Sequence, residues 1–388
     1  MIIAFWISVF IVFYTFFGYG ILLYLLVRLK RFFGSKKRRQ LSYEEMPSCT
    51  LIVAAYNEAG LLEEKIANTL ALNYPKDRLR LMFVTDGSTD EGPDIVARYP
   101  EITLLHSPER KGKIAAVHRA IAGVDTDVIV FTDANTFLNA DALLYICRHY
   151  GDPKVGAVAG EKRVIIDNTA DATAGEGFYW KYESRLKALD SELYSVVGAA
   201  GELFSIRKDL YEPVPLNSVL DDFMISMRIA EKGYVIVYEP EAYAQEDTSA
   251  NITEELKRKV RIAAGGIQSV IWMKALLNPF RFPVLSFQYI SHRVLRWTVT
   301  PLLMILALLL NIAIVVQGAG PLYTILLAGQ VFFYVSAYLG KLLEARKLRV
   351  KVLFVPYYFC VMNYAVLAGI VRYFSGRQSV IWEKAVRK

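Results

Sequence analysis

Apolar residues along the chain gather at its two ends, and a polar middle separates them. Positions 2–27 form 26 residues without one charge, more than the roughly 20 that an α-helix needs to cross a hydrocarbon core. Three further apolar stretches lie at about 298–316, 322–339 and 352–371. The first reads as a spanning helix. A cleaved signal peptide would need a basic start, an apolar core of only about 7 to 15 residues and a small-residue cleavage site.

The middle alternates between two periodicities. Short β-branched runs at 50–54, 80–84, 102–105, 128–132, 155–159, 203–206 and 235–238 read as strands, and stretches such as 59–71, 113–122 and 140–150 carry helical spacing. This alternation predicts an α/β domain with a mostly parallel sheet, helices on both faces and a ligand site at the carboxyl ends of the strands. Residues 267–297 mix Trp272, Phe280, Phe282, Tyr289 and Trp297 with Lys274, Arg281, His292, Arg293 and Arg296. That mixture suits helices lying in a membrane interface, with an ordinary amphipathic core helix as the alternative.

Charge sharpens this division. The 388 residues are 54% hydrophobic and 21% charged with a net charge of +7, which excludes a disordered chain or a disulfide mini-protein. The excess is local. Residues 28–39 hold seven cations and no acid, residues 40–280 hold 25 basic against 36 acidic residues, and residues 281–388 hold 13 against 2. Basic residues beside apolar runs point to a membrane surface and argue against nucleic acid. By the positive-inside rule the first helix ends on the cytoplasmic side. The same rule suits Lys341, Arg346, Lys347, Arg349 and Lys351 inside but not Arg372, Arg377, Lys384, Arg387 and Lys388 after a simple crossing, so the last segment is either a full span or a re-entrant one. Cys49, Cys147 and Cys360 form neither a zinc nor a disulfide pattern.

Polar residues cluster where the sheet rule places a site. Tyr56-Asn57-Glu58 follow the first strand, Asp86-Gly87-Ser88 the second and Asp133-Ala134-Asn135 the fourth. Neither GxGxxG after the first strand nor GxxxxGK[ST] anywhere is present, which argues against a dinucleotide dehydrogenase or a P-loop NTPase. Asp-Gly-Ser-Thr alone is equally a turn followed by a helix cap.

With Arg110-Lys111-Gly112-Lys113, the segment 197–207, Leu220-Asp221-Asp222-Phe223 with Gly233 beyond, Lys257-Arg258-Lys259-Val260-Arg261-Ile262, residues 291–297 and Val380-Ile381-Trp382, the order of these motifs resembles the family 2 inverting glycosyltransferases. The resemblance is to the membrane-embedded branch that includes cellulose and hyaluronan synthases. It implies a GT-A (Rossmann-like) catalytic domain at 47–266. The flanking parts would be a transmembrane helix at 1–27, a basic cytoplasmic linker at 28–46, interfacial helices at 267–297, about three transmembrane segments at 298–373 and a basic tail at 374–388.

The resemblance also implies roles. Tyr56, Glu58, Asp86, Lys113, Asp133, Arg258 and Arg261 would bind a nucleotide sugar, and Asp133 and Asn135 would hold Mg²⁺ or Mn²⁺, with Asn135 where a second Asp is usual. Gly201, Glu202, Asp221 and Ile262 would meet the acceptor. Asp222 would be the general base, and Arg261 would stabilise the leaving diphosphate. Arg258 and Ile262 replace the Gln and Trp of the usual QxxRW motif. The implied protein is a multi-pass enzyme of the inner or cell membrane with a cytoplasmic catalytic domain. Its partners would be a UDP-sugar donor, a glycan or lipid-linked acceptor and the lipid bilayer. Two alternatives stay open: single addition to a polyprenyl-linked acceptor, and a scaffold subunit of an export complex.

Overall fold

The computed structural model describes residues 1–34, 38–165, 173–247, 252–346 and 350–376. Val380-Ile381-Trp382, most of the basic tail, and Lys36, Lys37, Lys347 and Arg349 lie outside the described residues. The chain divides into two compact units.

One unit comprises Leu29–Ile165 and Lys187–Thr248 and is built on an eight-stranded sheet. Its strands are β1 (Cys49–Ala55), β2 (Leu79–Asp86), β3 (Ile102–Ser107), β4 (Val128–Asp133), β5 (Phe137–Leu138), β6 (Val155–Ile165), β7 (Leu203–Arg207) and β8 (Val235–Asp247), in the order β3-β2-β1-β4-β7-β6-β8-β5. Leu51 and Val53 of β1, Phe83 of β2 and Val130 of β4 are fully buried in its core. Strands covered on both faces read as continuous apolar runs, which is why their sequence pattern was plain.

The sheet is mixed where a mostly parallel one was expected. β7 runs antiparallel between β4 and β6, and the two-residue β5 pairs antiparallel with β8. β6 and β8 also continue well past the apolar runs that marked them, from 159 to 165 and from 238 to 247. The extensions are polar because cross-strand charge contacts hold them. Lys162 forms ion pairs with Glu202 and Glu246, and the Arg163 guanidinium lies 3.6 Å from the Tyr243 ring centre. The helix entering from the N-terminus likewise runs to Phe32, past its expected end at residue 27. Lys30 donates to the carbonyls of Glu192 and Leu193 at 2.7 and 2.8 Å, capping the helix Thr173–Leu193. Arg31 makes a bidentate pair with Glu192.

The other unit is helical and comprises Met1–Arg28, Ile166–Leu186 and Ser249–Gln378. Among the described residues three helices are long and apolar enough to cross a bilayer: Ile2–Phe32, Pro321–Ala345 and Val352–Phe374. A fourth span is possible if Pro283–Trp297 and Thr300–Val316, bent by 61° at their junction, count as one broken segment. Phe10, Phe17, Ile325, Phe332 and Val371 are exposed on these helices, as lipid-facing side chains would be. Small residues allow close helix packing: a Cβ on Gly369 would stand 2.6 Å from that of Ala263.

Part of the stretch expected at an interface is buried inside this unit. Ser286, Gln288, Tyr289, Ser291 and His292 are enclosed, whereas Phe280 is exposed. The polar run tolerates burial because Glu183, itself buried, receives His292 at 2.9 Å, Arg293 at 3.1 Å and Arg296 at 2.8 Å. Burial works against the Glu183 charge, but His292, Arg293 and Arg296 outweigh it and hold the carboxyl well below its ordinary range. A carboxyl lowered in the fold stabilises above the usual carboxylate range and loses that contribution as pH falls. Glu183→Ala leaves two half-buried guanidiniums without their buried counter-charge and is expected to cost about 3 kcal/mol, read as a lower thermal midpoint of the detergent-purified protein. A midpoint unchanged within error would show that the cluster does not hold this unit together.

Candidate active site

The site follows from sheet register. Ala54 of β1 lies between Val84 of β2 and Asp133 of β4, and Ala55 pairs with Thr85. The polar residues after these strands therefore emerge on one edge of the sheet. Asn57 takes a left-handed conformation (φ 52°) and its side-chain oxygen accepts from the Thr89 amide at 2.8 Å. The Asn57 amide donates to Ser88 Oγ at 3.2 Å. Asp90 accepts from the amides of Ala59 and Gly92 at 2.8 and 3.1 Å. Ser88, Thr89 and Asp90 thus lock the first two loops together, and Asp90 meets the first amide of helix Ala59–Leu70, whereas the N-cap residue of the next helix, Gly92–Ala97, makes no side-chain cap.

Asp86 ends β2 and divides its two oxygens. Oδ2 accepts from the amides of Lys111 and Gly112 at 2.8 and 2.6 Å. Oδ1, equally buried, has no hydrogen-bond partner among the described residues and lies 3.6 Å from the Arg119 guanidinium. An unsatisfied buried oxygen is costly unless a ligand completes it. Beside it Ala54, Tyr56, Val84, Arg110 and Lys113 line a cavity of about 30 Å³. The Arg110 guanidinium stacks 3.8 Å from the Tyr56 ring centre. Gly87 permits this approach, since a Cβ there would stand 2.5–2.8 Å from Arg110 Cβ, Cα and N.

Charge concentrates next to the cavity. Lys113, at the start of helix Lys113–Ile121, holds Asp133 Oδ1 at 2.6 Å. Gly201 faces both Lys113 and the base candidate: a Cβ on it would lie 3.3 Å from Asp222 Oδ2 and 3.6 Å from Lys113 Nζ. Asp221 and Asp222 open helix Asp221–Glu231, where the helix dipole favours acids. Ser226 Oγ ties that helix to the amide of Ala199 at 2.9 Å, fixing the 197–201 segment against it. Burial and then Asp221 push the Asp222 carboxyl up to about 7, with Lys113 pulling the other way. For Lys113 burial works against the charge, but Asp133, Asp221 and Asp222 together hold the ammonium above its ordinary value.

The α/β unit therefore brings Tyr56, Asp86, Lys113, Asp133, Gly201, Asp221 and Asp222 together. Asn135 sits half-buried in the turn between β4 and β5. Glu58 supplies the N-cap backbone of helix Ala59–Leu70. The Glu202 carboxylate is taken by Lys162 at 2.7 Å, while its carbonyl accepts from Thr132 Oγ1. Arg258, Arg261 and Ile262 lie on helix Ile252–Trp272 of the helical unit. Among the described residues no group of three or more His, Cys, Asp or Glu side chains is placed to hold a metal.

Sequence reasoning missed Lys65. It is fully buried on helix Ala59–Leu70, and its ammonium donates to the Thr136 carbonyl at 2.5 Å and Thr132 Oγ1 at 3.4 Å. Burial draws it down to about 7, with Asp133 opposing. The signal was its place between Leu62, Ile66 and Thr69 on the buried face, where a lysine needs a reason.

Residues 50–214 match the model of the glycosyl transferase family 2. This segment has the sequence pattern of that family. The chain is 25% identical over 271 residues to the poly-β-1,6-N-acetyl-D-glucosamine synthase of Staphylococcus aureus, an alignment that covers 66% of this chain and 65% of the relative, less than two thirds of its length. It is 25% identical over 245 residues to a probable glycosyltransferase, YdaM, of Bacillus subtilis, covering 57% and 56%. The fold matches a Pyrobaculum calidifontis mannosyltransferase solved with GDP-Man and Mn²⁺, with a TM-score of 0.72, 24% identity and coverage of 96% of this chain and 99% of that one. The catalytic unit thus has the GT-A architecture.

Gly87→Ala and Gly112→Ala separate strain from contact in the glycosyltransferase. Both glycines have positive φ, 67° and 96°, but only at Gly87 would a Cβ meet other atoms within 4 Å. Gly112→Ala is expected to cost about 1–2 kcal/mol of backbone strain and Gly87→Ala clearly more, measured as thermal midpoints. Equal losses would mean that the loop bearing Arg110 moves freely aside.

Proposed function

We propose that this glycosyltransferase is membrane-bound and inverting, and that it moves a sugar from a UDP-sugar to a membrane-borne glycan or lipid-linked acceptor. The observation that carries the reading is Asp222: a buried carboxylate beside Gly201 and the Lys113–Asp133 pair, with its proton affinity raised to about 7. Such a group is basic enough to take a hydroxyl proton yet substantially ionised at neutral pH. In the proposed reaction Asp222 removes the acceptor hydroxyl proton as that oxygen attacks the anomeric carbon. The nucleoside diphosphate departs from the opposite face, so an α-linked donor gives a β-linked product.

The donor end is assigned to the Asp86 cavity. The uncompleted Oδ1 of Asp86 suits a ring N–H or a ribose hydroxyl. Entry of a base requires the Arg110–Tyr56 stack to open, because about 30 Å³ holds little more than one water. Mg²⁺ or Mn²⁺ fits Asp133 and Asn135, both hard oxygen donors, and the ammonium of Lys113 at Asp133 is its stand-in. When bound, the cation would supply charge stabilisation to the diphosphate. The remaining ligands would come from the donor and water. Arg261 and Arg258 are assigned to the leaving diphosphate on the motif order alone. A cytoplasmic catalytic unit follows from the seven cations at 28–39.

A second reading concerns product length. The aromatic residue of the QxxRW motif is replaced by Ile262, so no aromatic face is available there to hold a chain's terminal sugar. This favours single addition, as to a polyprenyl-phosphate-linked acceptor, over processive synthesis. Mass spectrometry of products formed on a defined acceptor decides it: one added sugar supports the reading, and a ladder rejects it.

The main test is nucleotide release by the purified enzyme with a panel of UDP- and GDP-sugars. Asp222→Asn is expected to lower transfer by about 10²–10⁴-fold. In the wild type, kcat/KM should fall about tenfold per pH unit below an apparent pKa near 7 and level off above it, since the ionised form is the active one. A flat profile between pH 5 and 8, or full activity of Asp222→Asn, would remove Asp222 from the base role.

A further inference from the structure

Asp133 is engaged by cations on two sides. Lys113 Nζ sits 2.6 Å from its Oδ1, in a position that also lies against Gly201, whose Cβ would stand 3.6 Å from the ammonium and 3.3 Å from Asp222 Oδ2. Behind the same loop lies the fully buried ammonium of Lys65, bonded only to neutral oxygens, the Thr136 carbonyl and Thr132 Oγ1. Lys65 approaches no carboxylate to within ion-pair distance among the described residues. Its charge acts at longer range on Asp133. Asn135 adds no negative charge.

A divalent cation arriving alone would have to break the Lys113 pair, accept one carboxylate and one amide as protein ligands, and stand near a buried positive charge. A diphosphate changes each of these terms. It brings anionic oxygens for the cation and a new partner for Lys113, which lines the donor cavity as well as the Asp133 pair.

We propose that Lys113 is the resident counter-ion of Asp133 and that, with Lys65 behind it, it bars a free divalent cation, so that cation and nucleotide diphosphate enter together. Lys113 then passes from Asp133 to the diphosphate. Lys65 is a positioning residue: it pins the 132–136 turn through the Thr136 carbonyl and, in its protonated form, adds positive charge near Asp133. The inference rests on the donor-site reading above and adds an order of binding to it.

The test is Mn²⁺ binding to the full-length protein in detergent, followed by electron paramagnetic resonance of the free ion. It is run without nucleotide, with UDP and with GDP, for wild type, Lys113→Met, Lys65→Met and Asp133→Asn. Wild type is expected to hold Mn²⁺ about 10–100-fold more tightly with its nucleotide than without, in the usual range for coupled ligands. Lys113→Met should tighten nucleotide-free Mn²⁺ binding about tenfold and shrink the coupling. Lys65→Met should shift the nucleotide-free affinity in the same direction, and Asp133→Asn should abolish the site, which also separates it from Mn²⁺ chelated by nucleotide in solution. Equal wild-type affinity with and without nucleotide, or unchanged nucleotide-free affinity in Lys113→Met, would overturn the inference while leaving the donor site standing. No Asp133-dependent Mn²⁺ binding under any condition would overturn both.

Discussion

A buried carboxylate must be given a counter-charge or a proton, and much of this structure is arranged around that requirement. At the edge of the sheet Asp133, Asp221 and Asp222 share the single ammonium of Lys113. In the polar extension of β6 and β8, Lys162 serves Glu202 and Glu246. In the helical unit the ratio reverses, with His292, Arg293 and Arg296 around Glu183. Where cations are scarce a carboxylate is left with raised proton affinity, which is what a general base needs. Where they are abundant the carboxylate stays ionised and serves as a structural anchor.

The catalytic edge was legible in the sequence because its geometry is fixed by strands that announce themselves. β1, β2 and β4 are short apolar runs buried on both faces, and their register alone levels Ala54 with Val84 and Asp133. Once the strands were placed, Tyr56, Asp86 and Asp133 had to share an edge. Asp222 and Gly201 were legible differently, through motif order. Their contact depends on the Ser226–Ala199 bond and on the turn at Gly198, neither of which has a periodic signature.

What stayed hidden was held by charge rather than by apolar pattern. Residues 160–165 and 239–247 look like loop because their side chains are polar, yet ion pairs and a cation–π contact make them strand. β7 has the composition of any buried strand, and nothing local encodes its direction. Lys65 looked like one more surface cation on an amphipathic helix. Only the position of the 132–138 segment over that helix, held also by Asn68 to Leu138 N–H and C=O at 2.9 and 2.8 Å, shows that the lysine is covered.

These two kinds of information bear on one chemical problem. The proposed reaction needs one acid ionised for the donor and another poised for the acceptor. Two adjacent carboxylates in a dry site would both drift toward protonation. Placing Lys113 directly on Asp133, and at longer range from Asp222, breaks that symmetry. Asp133 meets Lys113 in a direct ion pair, while Asp222 feels burial and Asp221 more strongly than it feels Lys113, and its carboxyl comes to about 7. In the proposed reaction the position of one lysine thus separates a donor-side ligand from an acceptor-side base. The departure at Asn135 fits the same logic, because a second aspartate there would add one more acid to an edge that already holds Asp133, Asp221 and Asp222.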